Sequence, residues 1–244
     1  MPVMDYAQVR LPDNGYMVTT LPVDQATAIC KSIAAGEANY SRVFKDTSKA
    51  FVGVLAEVGE SDAVVKIPRS RSKRRWERFL TYFRHGESIR QFNRQLNLIE
   101  LGVKGPTPLM AVEWRANGVV VDGFYLYEFI YGRGGSKTDR NLIARELLKL
   151  YSLGYTRKDP KPENFVVSGE NVYLIDFTLD KPLFFSKIRR AMELSQFSGS
   201  FGRYKYRARS LGFSDIVICS GWALQGLSQR LRRVRRNASK FLGK

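Results

Sequence analysis

A chain of 244 residues, 44% of them hydrophobic, is long enough to bury one sizeable core or two small lobes around a cleft. Its two cysteines, Cys30 and Cys219, stand far apart and outside any CxxC or Cys/His pattern, which argues against a disulfide framework or a structural zinc site and for a reducing compartment. The formal charge of +17, from 40 Lys and Arg against 23 Asp and Glu, favours polyanionic partners over neutral metabolites.

Residues 1–10 show no basic region leading into an apolar one, and no later stretch reaches about 18 uninterrupted apolar residues, so a cytoplasmic protein is expected. Segments 40–44, 50–58 and 63–67 are rich in Val, Phe and Ala and are separated by polar turns, the pattern of three antiparallel strands. From residue 74 to about 101 apolar residues recur at helical spacing, with Gly86 interrupting the run and Gly102 ending it. Seven basic residues between Lys66 and Arg78 meet one acid, Glu77. Pro106-Thr107-Pro108 breaks the helix, and segments 109–113, 118–121 and 124–130 read as further strands. A turn at 132–135 leads to a helix from about Thr138 to Leu153, then a loop over 154–164. The next pattern is a hairpin: 165–167, a turn at Ser168-Gly169-Glu170-Asn171, and 172–177. Residues 181–244 read as helical and basic, without a low-complexity linker anywhere in the chain.

Asp159-Pro160-Lys161-Pro162-Glu163-Asn164 sets a carboxylate and a carboxamide five residues apart on a proline-stiffened loop, and Asp176 follows at the end of the hairpin. A hairpin of that length folds back, bringing Asp176 beside Asn164. Taken singly, Asp159 and Asn164 would read as turn caps and Asp176 as a strand end; loop, hairpin and spacing together favour a site. Asn164 and Asp176 offer oxygen ligands suited to magnesium, which draws its other ligands from water and substrate phosphates. Asp159 is left to accept the proton of an acceptor hydroxyl, the one acid–base task phosphoryl transfer asks of a protein.

Residues 159–164 resemble the catalytic loop of protein kinases, and Asp176-Phe177-Thr178 resembles their metal-binding Asp-Phe-Gly, with Thr178 in place of the glycine. Ala63-Val64-Val65-Lys66-Ile67 is similar to the strand whose lysine contacts the α- and β-phosphates. The resemblance implies an α+β, two-lobed protein-kinase-like fold: an N-terminal antiparallel sheet lobe over 1–130 and a reduced helical C-terminal lobe over 131–244. It also implies ATP and Mg2+ as cofactors, with Lys66 on the phosphates and Lys161 reaching the γ-phosphate. Adenine is then held at the hinge by Glu128 and Ile130. Glu87 is the candidate helix acid for Lys66, with Glu100 the alternative. Departures are the absence of GxGxxG before Lys66, Arg157 where a histidine is usual, and no Ala-Pro-Glu after Asp176. Only 68 residues of the 244 follow Asp176, too few for the full peptide-docking subdomain, so the acceptor is expected not to be a protein.

Within this superfamily the chain is similar to the bacterial lipopolysaccharide core heptose (II) kinases over the basic segment 74–86, the loop from Lys158 to Val167, the run from Ile175 to Pro182 and the basic C-terminus. That resemblance implies a kinase phosphorylating a sugar hydroxyl of the lipopolysaccharide inner core, peripheral at the cytoplasmic face of the inner membrane. Arg230, Arg232, Arg233, Arg235, Arg236 and Lys240 interleave with Leu227, Leu231, Val234, Phe241 and Leu242, as in an interfacial amphipathic helix or a basic terminal helix packed on its lobe. Two other readings stand beside this one. A small atypical kinase working beside RNA or a protein complex suits the charge equally, though no RNA-binding signature accompanies it. A pseudokinase holding an anionic surface suits Thr178 and Arg157.

Overall fold

The chain divides into two units, Met1–Tyr131 and Gly132–Lys244. The structure is a computed structural model that describes residues 4–59, 61–69, 75–157, 159–176, 178–182, 184–201, 217, 219–228, 230 and 234, with only backbone at 75–77. Lys158, Phe177, most of the basic stretch 70–77 and nearly all of the tail 230–244 lie outside the described residues or side chains.

The first unit is a seven-stranded antiparallel sheet with a helix on each face. Its strands are β1 (Ala7–Leu11), β2 (Gly15–Thr19), β3 (Tyr40–Asp46), β4 (Phe51–Val58), β5 (Ser61–Ile67), β6 (Pro108–Ala116) and β7 (Val119–Glu128), in the order β1-β2-β6-β7-β5-β4-β3. The trio 40–67 forms as its polar turns predict and makes up one end of the sheet, with β3 at the edge. The β1–β2 hairpin and helix α1 (Val23–Ala35) add to it from the N-terminus, where the sequence reading assigns no element. Asp13 and Asn14 turn that hairpin at positive φ, a conformation these two residue types tolerate better than most.

Alternation along the strands divides the core. Met17, Val65, Met110, Val112, Phe124 and Leu126 face Ala26, Cys30 and Ile33 of α1, spaced i, i+4, i+7. Val18, Ala111 and Tyr125 point the opposite way, onto Ile89, Phe92 and Leu96 of the helix α3 (Glu87–Glu100). A short helix α2 (Arg75–Leu80) precedes it, so the run from residue 74 to 101 is two helices parted before Gly86. Burying a side chain such as Phe92 contributes roughly 1.5–3 kcal/mol. Gly102, at φ 68, ends α3: its N–H reaches Ile99 O and the N–H of Val103 reaches Leu98 O.

Segments 118–121 and 124–130, expected as two strands, are one. β7 runs unbroken through Asp122-Gly123 because Asp122 Oδ1 accepts the Gly123 N–H while Gly123 passes so close to β6 that a Cβ would lie 2.5 Å from Val112 O. It is paired to β6 through a two-residue turn, Asn117-Gly118, with both residues at positive φ. β7 ends at Glu128, short of the expected Ile130.

The second unit begins with a short strand β8 (Arg133–Gly134), within the stretch expected as a turn. The following helix α4 (Arg140–Ser152) starts two residues later than expected, because a 3-10 turn at Lys137–Asp139 comes first. Asp139 fixes this turn. Its carboxylate takes both Arg133 guanidinium nitrogens at 2.6 Å and the Ser136 N–H and hydroxyl. Strands β9 (Phe165–Ser168) and β10 (Asn171–Leu174) form the expected hairpin, in a sheet ordered β10-β9-β8, but β10 stops at Leu174 rather than Phe177. Helix α5 (Ser186–Phe201) supplies Leu194, Phe197 and Phe201 to the core, and Phe201 meets Phe165 edge-on at 6.0 Å between ring centres. Residues 219–228 are also helical.

Candidate active site

In the second unit, Pro162 opens a 3-10 turn, Pro162–Asn164, that winds the loop back on itself. Asp159 O accepts the Lys161 N–H at 2.9 Å and the Asn164 side-chain nitrogen at 2.9 Å, and Lys161 O accepts the Asn164 N–H. With its nitrogen engaged on Asp159, Asn164 has its carboxamide oxygen left as an acceptor. The hairpin returns the chain to this point: the Ile175 N–H donates to Asn164 O at 3.0 Å. Asp176 is the next residue, exposed and held at φ 47, a left-handed conformation uncommon outside glycine and concentrated at functional sites. The fold-back expected from the hairpin's length is therefore present.

The half-buried Asp159 carboxylate is gripped on both oxygens. Lys161 Nζ lies 3.0 Å from Oδ2, and Gln196 Nε2 donates to Oδ1 at 2.7 Å. Gln196 comes from α5, a partner that no pattern around the loop announces. One turn earlier on that helix, the buried Glu193 accepts the backbone N–H of Arg157 on both carboxylate oxygens, at 3.2 and 3.1 Å.

Arg157, where the family resemblance leads one to expect a histidine, is 1% exposed. Its guanidinium donates to Asn164 O at 3.4 Å and Ile175 O at 3.2 Å, and lies 4.4 Å from the centre of the Phe165 ring. One side chain thus ties the 159–164 loop to the strand end that carries Asp176. Burial pushes the guanidinium down to about 10 against the opposing pull of Glu193, Tyr151, Asp159 and Asp176, so it stays charged at neutral pH. The buried Tyr151 hydroxyl is pushed well up, by burial first and by Glu193 next. Beyond the loop, Thr178 N–H donates to Arg157 O, and Thr156 and Asp180 exchange backbone hydrogen bonds.

In the first unit, Lys66 stands on β5 between the buried Val65 and the partly buried Ile67, on the sheet face that α3 covers, with its Nζ 5.9 Å from the Tyr125 ring centre. Glu87 opens α3 and is engaged by Arg90 at 3.1 Å and Arg94 at 3.4 Å. Glu100, the alternative, is exposed at the far end of that helix. At the end of β7, Glu128 N–H donates to Thr107 O and its carboxylate accepts the Thr107 hydroxyl at 2.6 Å, while Phe129 N–H donates to Asp62 O. The backbone of Ile130 has no such partner among the described residues.

A magnesium ion would ask for oxygen donors, and Asn164 and Asp176 supply only those; no cluster of three or more His, Cys, Asp and Glu forms among the described residues. A loop that carries a carboxylate and a carboxamide, met by the end of a hairpin that carries a second carboxylate, is the order of parts found in protein kinases. Preceded by an antiparallel sheet that carries a strand lysine and a covering helix, it gives the chain an α+β protein-kinase-like fold.

No protein-family model matches the chain, and no curated protein matches it. Among solved structures it is similar to WaaP in complex with acyl carrier protein, at 17% identity over 86% of this chain and 88% of that one, with a TM-score of 0.46. It is also similar to the Rio2 kinase from Chaetomium thermophilum in its ADP/Mg2+-phosphoaspartate complex, at 14% identity over 92% and 81%, TM-score 0.47. A third is the bifunctional kinase-methyltransferase WbdD, at 14% over 73% and 42%, TM-score 0.44. All three likenesses are distant.

Proposed function

We propose that the protein is an ATP-dependent kinase that phosphorylates a hydroxyl of the lipopolysaccharide inner core, with heptose as the acceptor sugar. The observation that carries the kinase reading is the fixed set of Asp159, Asn164 and Asp176 around the Arg157 clamp. The acceptor class rests on the likeness of the loop and the basic segments to core heptose kinases, and on a charge of +17 suited to a phosphorylated, lipid-anchored glycan.

Asp159 takes the proton of the acceptor hydroxyl as the new O–P bond forms and the bond from the γ-phosphorus to ADP breaks. Lys161 offsets charge at the transferred group, and Gln196 keeps the carboxylate of Asp159 in one orientation. Asn164 and Asp176 would hold a magnesium ion, which when bound would supply neutralisation of charge developing on the phosphates. Lys66 receives the non-transferred phosphates and Glu87 orients it, in competition with Arg90 and Arg94. The Glu128 and Ile130 backbone meets adenine.

Transfer of label from γ-labelled ATP, with magnesium, to lipopolysaccharide lacking core phosphate tests this directly, with bulk RNA as a parallel acceptor. Label enters the glycan, and Asp159→Ala lowers transfer by about 10²–10⁴-fold while nucleotide binding persists. Asp176→Ala weakens magnesium-nucleotide binding as well. Label absent from the glycan, or retained by Asp159→Ala, refutes the proposal.

A further inference from the structure

From the end of α2 into the turn before α3 the first unit presents aromatic rings to solvent where a globular surface would hide them. Phe79 is 49% exposed, Tyr82 53% and Phe83 80%, and the three rings contact one another at 5.8–6.5 Å between centres. Their carrier is rigid. Arg115 donates to the carbonyls of Thr81, Arg84 and Gly118, and Val120 N–H donates to the Thr81 hydroxyl. Arg115 is itself held by Glu113, a fully buried carboxylate that also accepts the Gly86 N–H at 2.7 Å. Tyr82 lies against Gly118, where a Cβ would approach its ring to 2.8 Å. A buried polar hub thus fixes an exposed apolar knob, and the cost of leaving that surface wet calls for a partner.

We propose that this knob is a membrane-docking element that inserts its rings into the interface of an anionic bilayer. Two features select that occupant. Arg78 and Arg84 flank the rings, both exposed and, among the described residues, without an ion-pair partner, so an anionic surface is favoured. The rings also meet at 55–70°, so they form no common flat platform for a run of stacked RNA bases, whereas an interfacial aromatic anchor needs no common plane. The inference rests on the proposed reading that the acceptor is lipid-anchored: docking brings a two-dimensional substrate to the enzyme.

The test is co-sedimentation of the full chain with phosphatidylglycerol/phosphatidylcholine vesicles, pure phosphatidylcholine vesicles and poly(U) RNA. The wild type partitions onto anionic vesicles, and the Phe79→Ala/Phe83→Ala variant loses about tenfold in partition coefficient. Phe83→Trp, which keeps an interfacial aromatic, retains binding and guards against a misfolded double variant. Anionic-vesicle binding unchanged in the double variant, absent in the wild type, or replaced by RNA binding that the double variant loses overturns the proposal. Transfer to a deacylated, water-soluble core oligosaccharide separates the two readings, since it needs no bilayer: the double variant keeps this activity, and its absence in the wild type sinks the kinase reading instead.

Discussion

Replacing Arg157 with methionine should slow phosphoryl transfer by about 100-fold, the penalty expected when a catalytic group shifts by about 1 Å. The substitution roughly preserves volume but strips the donors from the carbonyls of Asn164 and Ile175 and takes a positive charge from beside Glu193. Bonds from a charged donor contribute roughly 1.5–3 kcal/mol each. At 3.4 and 3.2 Å these two are long and fall at the low end, so their loss costs about 3 kcal/mol, to which the buried Glu193 left without its cation adds. That is less than the roughly 5–15 kcal/mol that holds a domain together, so the variant folds and can be assayed below its melting temperature. Because Arg157 touches neither acceptor nor nucleotide in the proposed mechanism, the loss belongs in kcat and leaves KM for ATP within about twofold. Arg157→Lys keeps the charge without the two-pronged donor and should fall between. A kcat within about twofold of wild type, or a loss confined to KM, would refute the claim that this side chain sets the loop against Asp176.

Gln196→Leu should lower kcat about tenfold without changing nucleotide affinity, since it frees one oxygen of Asp159 from its anchor on α5. Gln196→Glu sets a second carboxylate against Asp159; like charge raises the pKa of the pair, so the acidic limb of the pH–rate profile moves to higher pH, and an unmoved limb would place Gln196 outside the mechanism. Asp139 is a test of stability alone. Its hydrogen bonds from Arg133 hold the carboxyl down to about 2 from an ordinary value near 3.8, so its stabilisation is present above about pH 4 and is lost as the pH falls toward 2. The difference in thermal midpoint between the wild type and Asp139→Asn should therefore be constant at neutral pH and shrink across that acidic window.

The parts legible in the sequence are those whose determinants are local. Polar turns bracket the strands of 40–67, Gly86 and Gly102 bound α3, and the dipeptide Gly169-Glu170 closes the β9–β10 hairpin, so each can be read within a dozen residues. Asp122-Gly123 misleads because its turn-like composition is satisfied inside a strand, where close approach to Val112 demands the glycine. The N-terminal hairpin and α1 add strands at the far side of β6, a pairing across more than 90 residues that local pattern does not encode. Gln196 and Glu193 illustrate the same point at the site. Each is an ordinary polar residue of a helix, and only the packing of α5 makes one a brace for Asp159 and the other an acceptor for Arg157.

The paired backbone of Thr156 and Asp180 fastens the chain to itself at the two ends of the segment that holds Asp159, Asn164 and Asp176. A segment latched at both ends opens as one cooperative patch rather than fraying residue by residue. Amide protons of Asn164, Ile175 and Asp180 should then exchange with deuterium at a common opening free energy. An insertion into this stretch has one harmless place to go, the exposed Gly169-Glu170 tip, where added length leaves the latch and everything inside it undisturbed.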